Sequence, residues 1–278
     1  MNRKTILITG TSSGIGADAV RYFSEKGWNV AATMRTPEKD NTLRHLPNVK
    51  LYALDVHDEN SIQQALQAAI NDFGAIDAIV NNAGYGAIGI FEKATPEQIK
   101  KQFETNVFGA MNVIRGILPY FRQRRDGTII NITSMGGLVA FPIYSVYHGT
   151  KWALEGFSES LHYELRPFNI RVKCVEPGAI KTDFYTRSQD FFTNPSLTDY
   201  DEYEKITHEN TQKAGETAPN PDVVSKAIFK AANDKNFRLR YPAGNQAVWI
   251  LPLRKLIPTG WFVRIVRAQV EKGFKAKK

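Results

Sequence analysis

The chain has 278 residues, 42% hydrophobic and 23% charged, with 36 Lys and Arg against 28 Asp and Glu for a formal net charge of +8. That length suits one large α/β domain, and that composition excludes a disordered, collagen-like or coiled-coil chain. The positive balance admits nucleic acid, an anionic membrane surface or an acidic small ligand as partner, and its position along the chain separates them.

From the N-terminus, the first apolar run stops at Thr9-Gly10, too short for a signal-peptide core. No stretch offers the roughly 18 uninterrupted apolar residues of a membrane-spanning helix, so a soluble, cytoplasmic protein is expected. The single cysteine, Cys174, cannot form an intrachain disulfide and reads as a buried strand residue in a reducing compartment. The five histidines show no metal-ligand spacing, and no metal is expected.

Short Val- and Ile-rich runs alternate with stretches of helical period, the pattern of βαβ units around a parallel sheet. Strands are predicted over Thr5–Thr9, Asn29–Met34, Lys50–Leu54, Ala78–Asn81, Gly127–Thr133, Arg171–Glu176 and Arg238–Tyr241. Helices are predicted over Gly14–Lys26, Ser61–Phe73, Pro96–Arg122, Tyr144–Arg166 and Pro221–Ala232, with Thr95 as N-cap before Pro96. Residues 183–219 carry no clear strand and read as a lid over a binding site. The expected organisation is therefore a catalytic domain over residues 1–244 that includes this lid, then a basic amphipathic extension over 245–278.

The first strand runs into Gly10-Thr11-Ser12-Ser13-Gly14-Ile15-Gly16, and a helix follows. Glycines there let backbone N–H groups approach a pyrophosphate at a helix N-terminus. The second strand ends at Met34-Arg35. A carboxylate would bind the ribose 2′-hydroxyl of NAD, whereas Arg35 can pair with the 2′-phosphate of NADP. Tyr147 and Lys151 lie four residues apart, on one helix face. An ammonium near a phenol favours the phenolate, which makes the pair a plausible acid–base unit. Ser134, ending the fifth strand, and Asn81-Asn82-Ala83-Gly84, ending the fourth, would face the same crevice at the carboxyl ends of the strands. Asn106 falls inside a predicted helix, where asparagine ordinarily means solvent exposure.

Taken together, TGTSSGIG, Asp55-Val56, NNAG, Asn106, Ser134, YHGTK and Pro177-Gly178 with Thr182 resemble the short-chain dehydrogenase/reductase family over about residues 4–183, extending to Arg240-Tyr241-Pro242-Ala243-Gly244. The resemblance implies a Rossmann-type α/β fold: a doubly wound parallel sheet of about seven strands with helices on both faces. It implies that Tyr147 is the proton donor in reduction and that Lys151 binds the nicotinamide ribose. Ser134 would orient the substrate carbonyl, and Asn106 would hold a water in the proton relay. It also implies that Asp55, Val56 and Asn81 line the adenosine side, with Pro177, Gly178, Ile180 and Thr182 beside the nicotinamide. A homodimer or homotetramer is expected by the same resemblance. His148-Gly149 departs from the family's small pair between Tyr and Lys, and His148 is expected to be a surface or packing residue.

Stretches around Phe103–Gly109, Leu154–Leu161 and Val175–Gly178 are similar to the branch containing 17β-hydroxysteroid and retinol dehydrogenases, which implies a bulky apolar alcohol or ketone. Phe141, Tyr144 and, from the lid, Phe184 join Ser134 and Tyr147 as candidate substrate contacts. The chain also resembles reductases of acyl-dihydroxyacetone phosphate and of 3-oxoacyl chains. An NADP-binding sensor without turnover and a nucleic-acid-binding protein complete the alternatives. The last has little support, because residues 236–278 hold ten Lys and Arg and one acid, leaving the first 235 residues at −1. The excess charge sits in the C-terminal extension, whose apolar face is expected on the substrate pocket or a partner subunit, with peripheral contact to an anionic membrane as the other outcome.

Overall fold

The architecture follows from strands that are apolar on both faces. The computed structural model describes residues 3–182, 189–216 and 218–274. Seven parallel strands lie in the spatial order β3 (Val49–Ala53), β2 (Asn29–Met34), β1 (Thr5–Thr9), β4 (Ala78–Asn81), β6 (Gly127–Ile132), β7 (Ile170–Pro177) and β9 (Arg240–Ala243). Successive strand side chains point to opposite faces, and both faces are covered. Ile6, Ile8, Val30 and Ala32 pack under α1 (Gly14–Glu25) and α7 (Asp222–Asn233). Leu7, Ala31, Ile79 and Ile129 pack under α2 (Glu59–Phe73), α4 (Gly109–Arg124) and α5 (Ser145–Leu165). Strand order reverses between β1 and β4, which opens a crevice at the carboxyl ends of the strands.

Six of the seven predicted strands agree with the observed ones to within one residue at each end, and the last lies two residues later than expected. The predicted helix over Pro96–Arg122 is three pieces: α3 (Pro96–Phe103), a π-helical turn over Glu104–Phe108, and α4. Thr95 caps α3 as expected, in a reciprocal capping box with Gln98. The lid is more ordered than its sequence implies. It contains a short strand, β8 (Gln189–Phe191), paired in parallel with β5 (Gly86–Ile88), and a four-turn helix, α6 (Asp201–Glu216). Three-residue strands have no readable period, which is why neither was predicted.

The tail forms two helices, α8 (Asn245–Leu256) and α9 (Thr259–Val270), docked on the domain rather than separate from it. Ala247, Leu251 and Phe262 are buried against Val139, with Leu138 and Phe141 alongside. Asn210 of α6 donates to the carbonyls of Val270 and Lys272, and Tyr203 donates to Glu271. The lid helix is stapled at its other end by Lys93, which is buried and donates to Asp201 at 3.0 Å and Glu204 at 2.7 Å. Lid helix, tail and the loop over residues 135–144, on the side of the candidate substrate contacts, thus form one packed layer.

Candidate active site

The glycine turn is built by exclusion of side chains. Gly10 has φ +68°, and a Cβ there would lie 2.8 Å from the Ala83 Cα. A Cβ on Gly16 would overlap the Gly10 carbonyl oxygen and lie 2.6 Å from the Asn82 amide nitrogen. That amide donates to the carbonyls of Thr9 (2.9 Å) and Gly10 (3.0 Å), and the Thr9 hydroxyl accepts from the backbone of Asn82 and Ala83. The backbone and hydroxyl of Thr11 both donate to the Thr33 carbonyl, so the turn is also tied to the end of β2, two residues before exposed Arg35. Ser13 caps α1 without a side-chain hydrogen bond to the helix. The first-turn N–H groups of such a helix attract anions. This cradle, which a single methyl group would fill, fits a dinucleotide pyrophosphate. Gly14 faces Thr182 across it, with a Cβ position 3.8 Å from the threonine Cβ. Pro177 ends β7, while Gly178 bonds to Ala243 and packs against α8, which carries this loop over the turn. Ile180, next along it, is buried in the core.

At the first turns of α5, Lys151 is half-buried and donates to the Ile132 carbonyl at 2.9 Å, two residues before Ser134. Its nitrogen stands 5.8 Å from the centre of the Tyr147 ring. Burial lowers the Lys151 ammonium to about 8, while the charge of Glu155 partly offsets that. Asn106 is 2% exposed, which corrects the expectation of a solvent-facing residue. The π-helical turn swings it inward. There its carboxamide exchanges two bonds with the Tyr85 backbone and donates to the Thr150 hydroxyl, which donates in turn to the Tyr147 carbonyl. Ser134 accepts from the Gly136 N–H at 3.0 Å.

His148 is a packing residue, buried at the heart of the substrate-side loop. Nδ1 donates to the Gly136 carbonyl at 2.8 Å and Nε2 accepts from the Phe141 N–H at 3.0 Å, so the ring is held as one neutral tautomer. Burial lowers its pKa to about 4. The loop it clamps presents Phe141, Ile143 and Tyr144, which pack with Ile88, Ile90, Tyr147, Tyr200 and Tyr203 into one apolar wall. A cleft of ≈ 360 Å³ adjoins it between the loop and α6, lined by Ile88, Ile143, Phe191, Asp201 and Lys205 among others. Phe184 lies outside the described residues.

The adenosine-side candidates divide. Asp55 lies two residues past the end of β3 and accepts from the His57 backbone, while buried Val56 packs against Gly109. Asn81 does not face the crevice: it is 5% exposed, and its amide donates to Asn131, which donates to Ser158 in the interior. Sequence reading missed a cluster of acids behind the site. Glu155 and Glu176, 2% and 1% exposed, both stand 3.2 Å from the guanidinium of Arg240, which also pairs with Glu159. Burial and the neighbouring charge of Glu155 raise Glu176 to about 8, and burial raises Glu155 as well. No spacing announces this cluster, since its members come from α5, β7 and β9. Cys174 is buried as expected, and burial pushes its thiol well above the ordinary range. Among the described residues no group of His, Cys, Asp and Glu could hold a metal, and no helix is long and apolar enough to cross a membrane.

Residues 4–191 match the family model for short chain dehydrogenases, and the chain belongs to the short-chain dehydrogenase/reductase family. It is 38% identical to the uncharacterized oxidoreductase YusZ of Bacillus subtilis, over 97% of this chain and 99% of that protein. It is 40% identical to a 3-ketodihydrosphingosine reductase of Bacteroides thetaiotaomicron over 66% of each, and 31% identical to bovine retinol dehydrogenase 8 over 92% of this chain and 86% of that one. A crystal structure of a short-chain dehydrogenase from Streptomyces avermitilis superposes with a TM-score of 0.81 at 30% identity, covering 99% of this chain and all of the other. The structure of ElxO with NADP bound superposes at 0.71 and 26% identity, covering 86% and 97%. The protein is therefore an NAD(P)-dependent oxidoreductase with the family's α/β fold.

Proposed function

We propose that this enzyme uses NADP(H) in preference to NAD(H) and interconverts a ketone or aldehyde with an alcohol on a bulky, apolar, lipid-like substrate. The observation that carries the reading is the wall of Ile88, Ile90, Phe141, Ile143 and Tyr144 packed around Tyr147, an apolar lining at the proposed proton donor. Two relatives support it, being a ketodihydrosphingosine reductase and a retinol dehydrogenase. Arg35 supports the NADP preference, because it stands where an NAD enzyme would carry an acid.

The bound nicotinamide dinucleotide supplies or receives the hydride at the carbonyl carbon. In reduction, the Tyr147 hydroxyl gives its proton to the carbonyl oxygen as the hydride reaches the carbon, and the C=O group becomes CH–OH; oxidation reverses both transfers. Ser134 shares the hydrogen bond to that oxygen and fixes its position. Lys151, charged below about 8, favours the phenolate left on Tyr147. Asn106 acts as a positioning residue, holding the Tyr147 turn through Thr150. Tyr147→Phe is expected to abolish NADPH oxidation across a panel of retinoid, steroid, 3-ketosphingoid and small ketones, with NADPH affinity within threefold of the parent. Near-normal turnover would refute the tyrosine's role, and preference for small polar ketones would refute the substrate class.

A further inference from the structure

Seven of the twelve large hydrophobic side chains exposed among the described residues lie within Val248–Ile265. Trp249 is 76% exposed, Leu256 81% and Trp261 65%. On α8, Ala247 and Leu251 share the buried face, while Trp249, Leu253 and Leu256, at i, i+4 and i+7, share the opposite one. On α9, Phe262 and Val270 are buried, and Trp261, Val263 and Ile265 are outside. Inner-face contacts with the loop around Val139 thus cover Ala247, Leu251 and Phe262 and leave these seven side chains exposed. Among the exposed apolar residues stand Lys255, Arg264, Arg267 and Lys272, all exposed, and Glu271 is the single acid after residue 236.

We propose that the outer face of α8 and α9 docks the enzyme on an anionic lipid bilayer, lying in the headgroup layer without crossing it. Tryptophan and leucine surrounded by Lys and Arg match that layer, where indole rings seat at the apolar–polar boundary and cations meet anionic headgroups. A second copy of the chain is the weaker occupant, because a two-fold interface sets the same patch against itself and would bring these cations together. Nucleic acid would account for the cations but not for exposed tryptophans and leucines. Membrane docking goes beyond the proposed chemistry and rests on none of it: the face that binds lipid is the back of the layer whose front adjoins the cleft, and it would hold the enzyme at the surface where lipid-like substrates are concentrated.

The test is co-sedimentation of the full chain with vesicles of phosphatidylcholine alone or mixed with phosphatidylglycerol. Binding is expected only to the mixed vesicles, and it should fall at high salt. Lys255→Gln with Arg264→Gln should weaken it about thirtyfold, from about 1 kcal/mol for each basic residue near an anionic surface. Trp249→Ser with Trp261→Ser should abolish it while the thermal midpoint is unchanged. Equal binding to both vesicle types, binding to neither, or a tryptophan variant that alters the oligomeric state but still binds vesicles would each overturn the proposal. The assay needs neither cofactor nor carbonyl, so its failure would leave the reaction assigned above intact.

Discussion

Replacing Glu176 by Gln separates two readings of the acid cluster behind the site. Glu176 lies 3.2 Å from Arg240, so an ordinary ion-pair argument has the substitution destabilise the protein at every pH. Its burial argues otherwise. The folded chain holds this carboxyl at about 8, against 4.5 for an unperturbed glutamate, chiefly because burial disfavours the anion. The folded state therefore binds the proton more tightly than the unfolded chain does. The resulting stability is fully present below about 4.5, declines as pH rises, and is gone once pH passes the folded value near 8. One pKa unit corresponds to about 1.4 kcal/mol. Between pH 6 and pH 9 the parent should thus lose about 3 kcal/mol through this one group. Glutamine has the shape of the protonated acid and no titration, so the Glu176→Gln protein should lose nothing through it. Urea unfolding of both proteins at the two pH values measures the difference, and subtraction removes groups that titrate in both, such as Lys151. The stability difference should move in the variant's favour by about 3 kcal/mol from pH 6 to pH 9. A flat or opposite trend would show that Glu176 is ionised in the native protein and would refute the reasoning.

Gly16→Ala should force the glycine turn away from Gly10 and Asn82, at about 1–3 kcal/mol of stability, and weaken NADPH binding at least tenfold in a fluorescence titration; native affinity would remove the turn from the cofactor site. Arg35→Asp should weaken NADPH binding about tenfold to a hundredfold, as expected for a charge-assisted hydrogen bond of about 1.5–3 kcal/mol, with a much smaller change for NADH; equal changes would refute the NADP assignment. His148→Ala leaves the Phe141 N–H and Gly136 carbonyl without their side-chain partner, at about 2–4 kcal/mol. It should raise the KM for the carbonyl while NADPH affinity holds. Because burial keeps this histidine neutral down to about 4, the parent's rate profile should show no step near pH 6.5 that the variant lacks, and such a step would make His148 an acid–base group.

The strands and the dinucleotide turn were legible because their determinants are local. A strand covered on both faces is apolar at successive positions, as Ile6–Ile8 and Ala78–Val80 are, and a turn around a pyrophosphate must lack side chains, as Gly10 and Gly16 do. Tyr147 and Lys151 were legible for the same reason, since helix geometry alone puts residues four apart on one face. Asn106 and His148 were misjudged or left open, because their environments come from elsewhere in the chain. Asn106 is inside because a π-helical turn resets the helix phase toward Tyr85 and Thr150. His148 is inside because Gly136 and Phe141 fold back on it.

Local pattern alone encoded the βαβ order, the glycine turn and the Tyr–Lys pair, all set by periodicity and by which residue types a tight turn or one helix face accepts. The remaining features came from long-range packing. It joined lid helix, substrate-side loop and tail into one layer, and it buried Glu155 and Glu176 against Arg240 from three elements. It also divided the basic tail into a face packed on the site and a face left to solvent. Those outcomes depend on contacts between residues far apart in the chain, such as Lys93 with Glu204 of the lid, 111 positions on, and Tyr203 with Glu271 of the tail, 68 positions on, and no local pattern encodes which distant partner a surface meets.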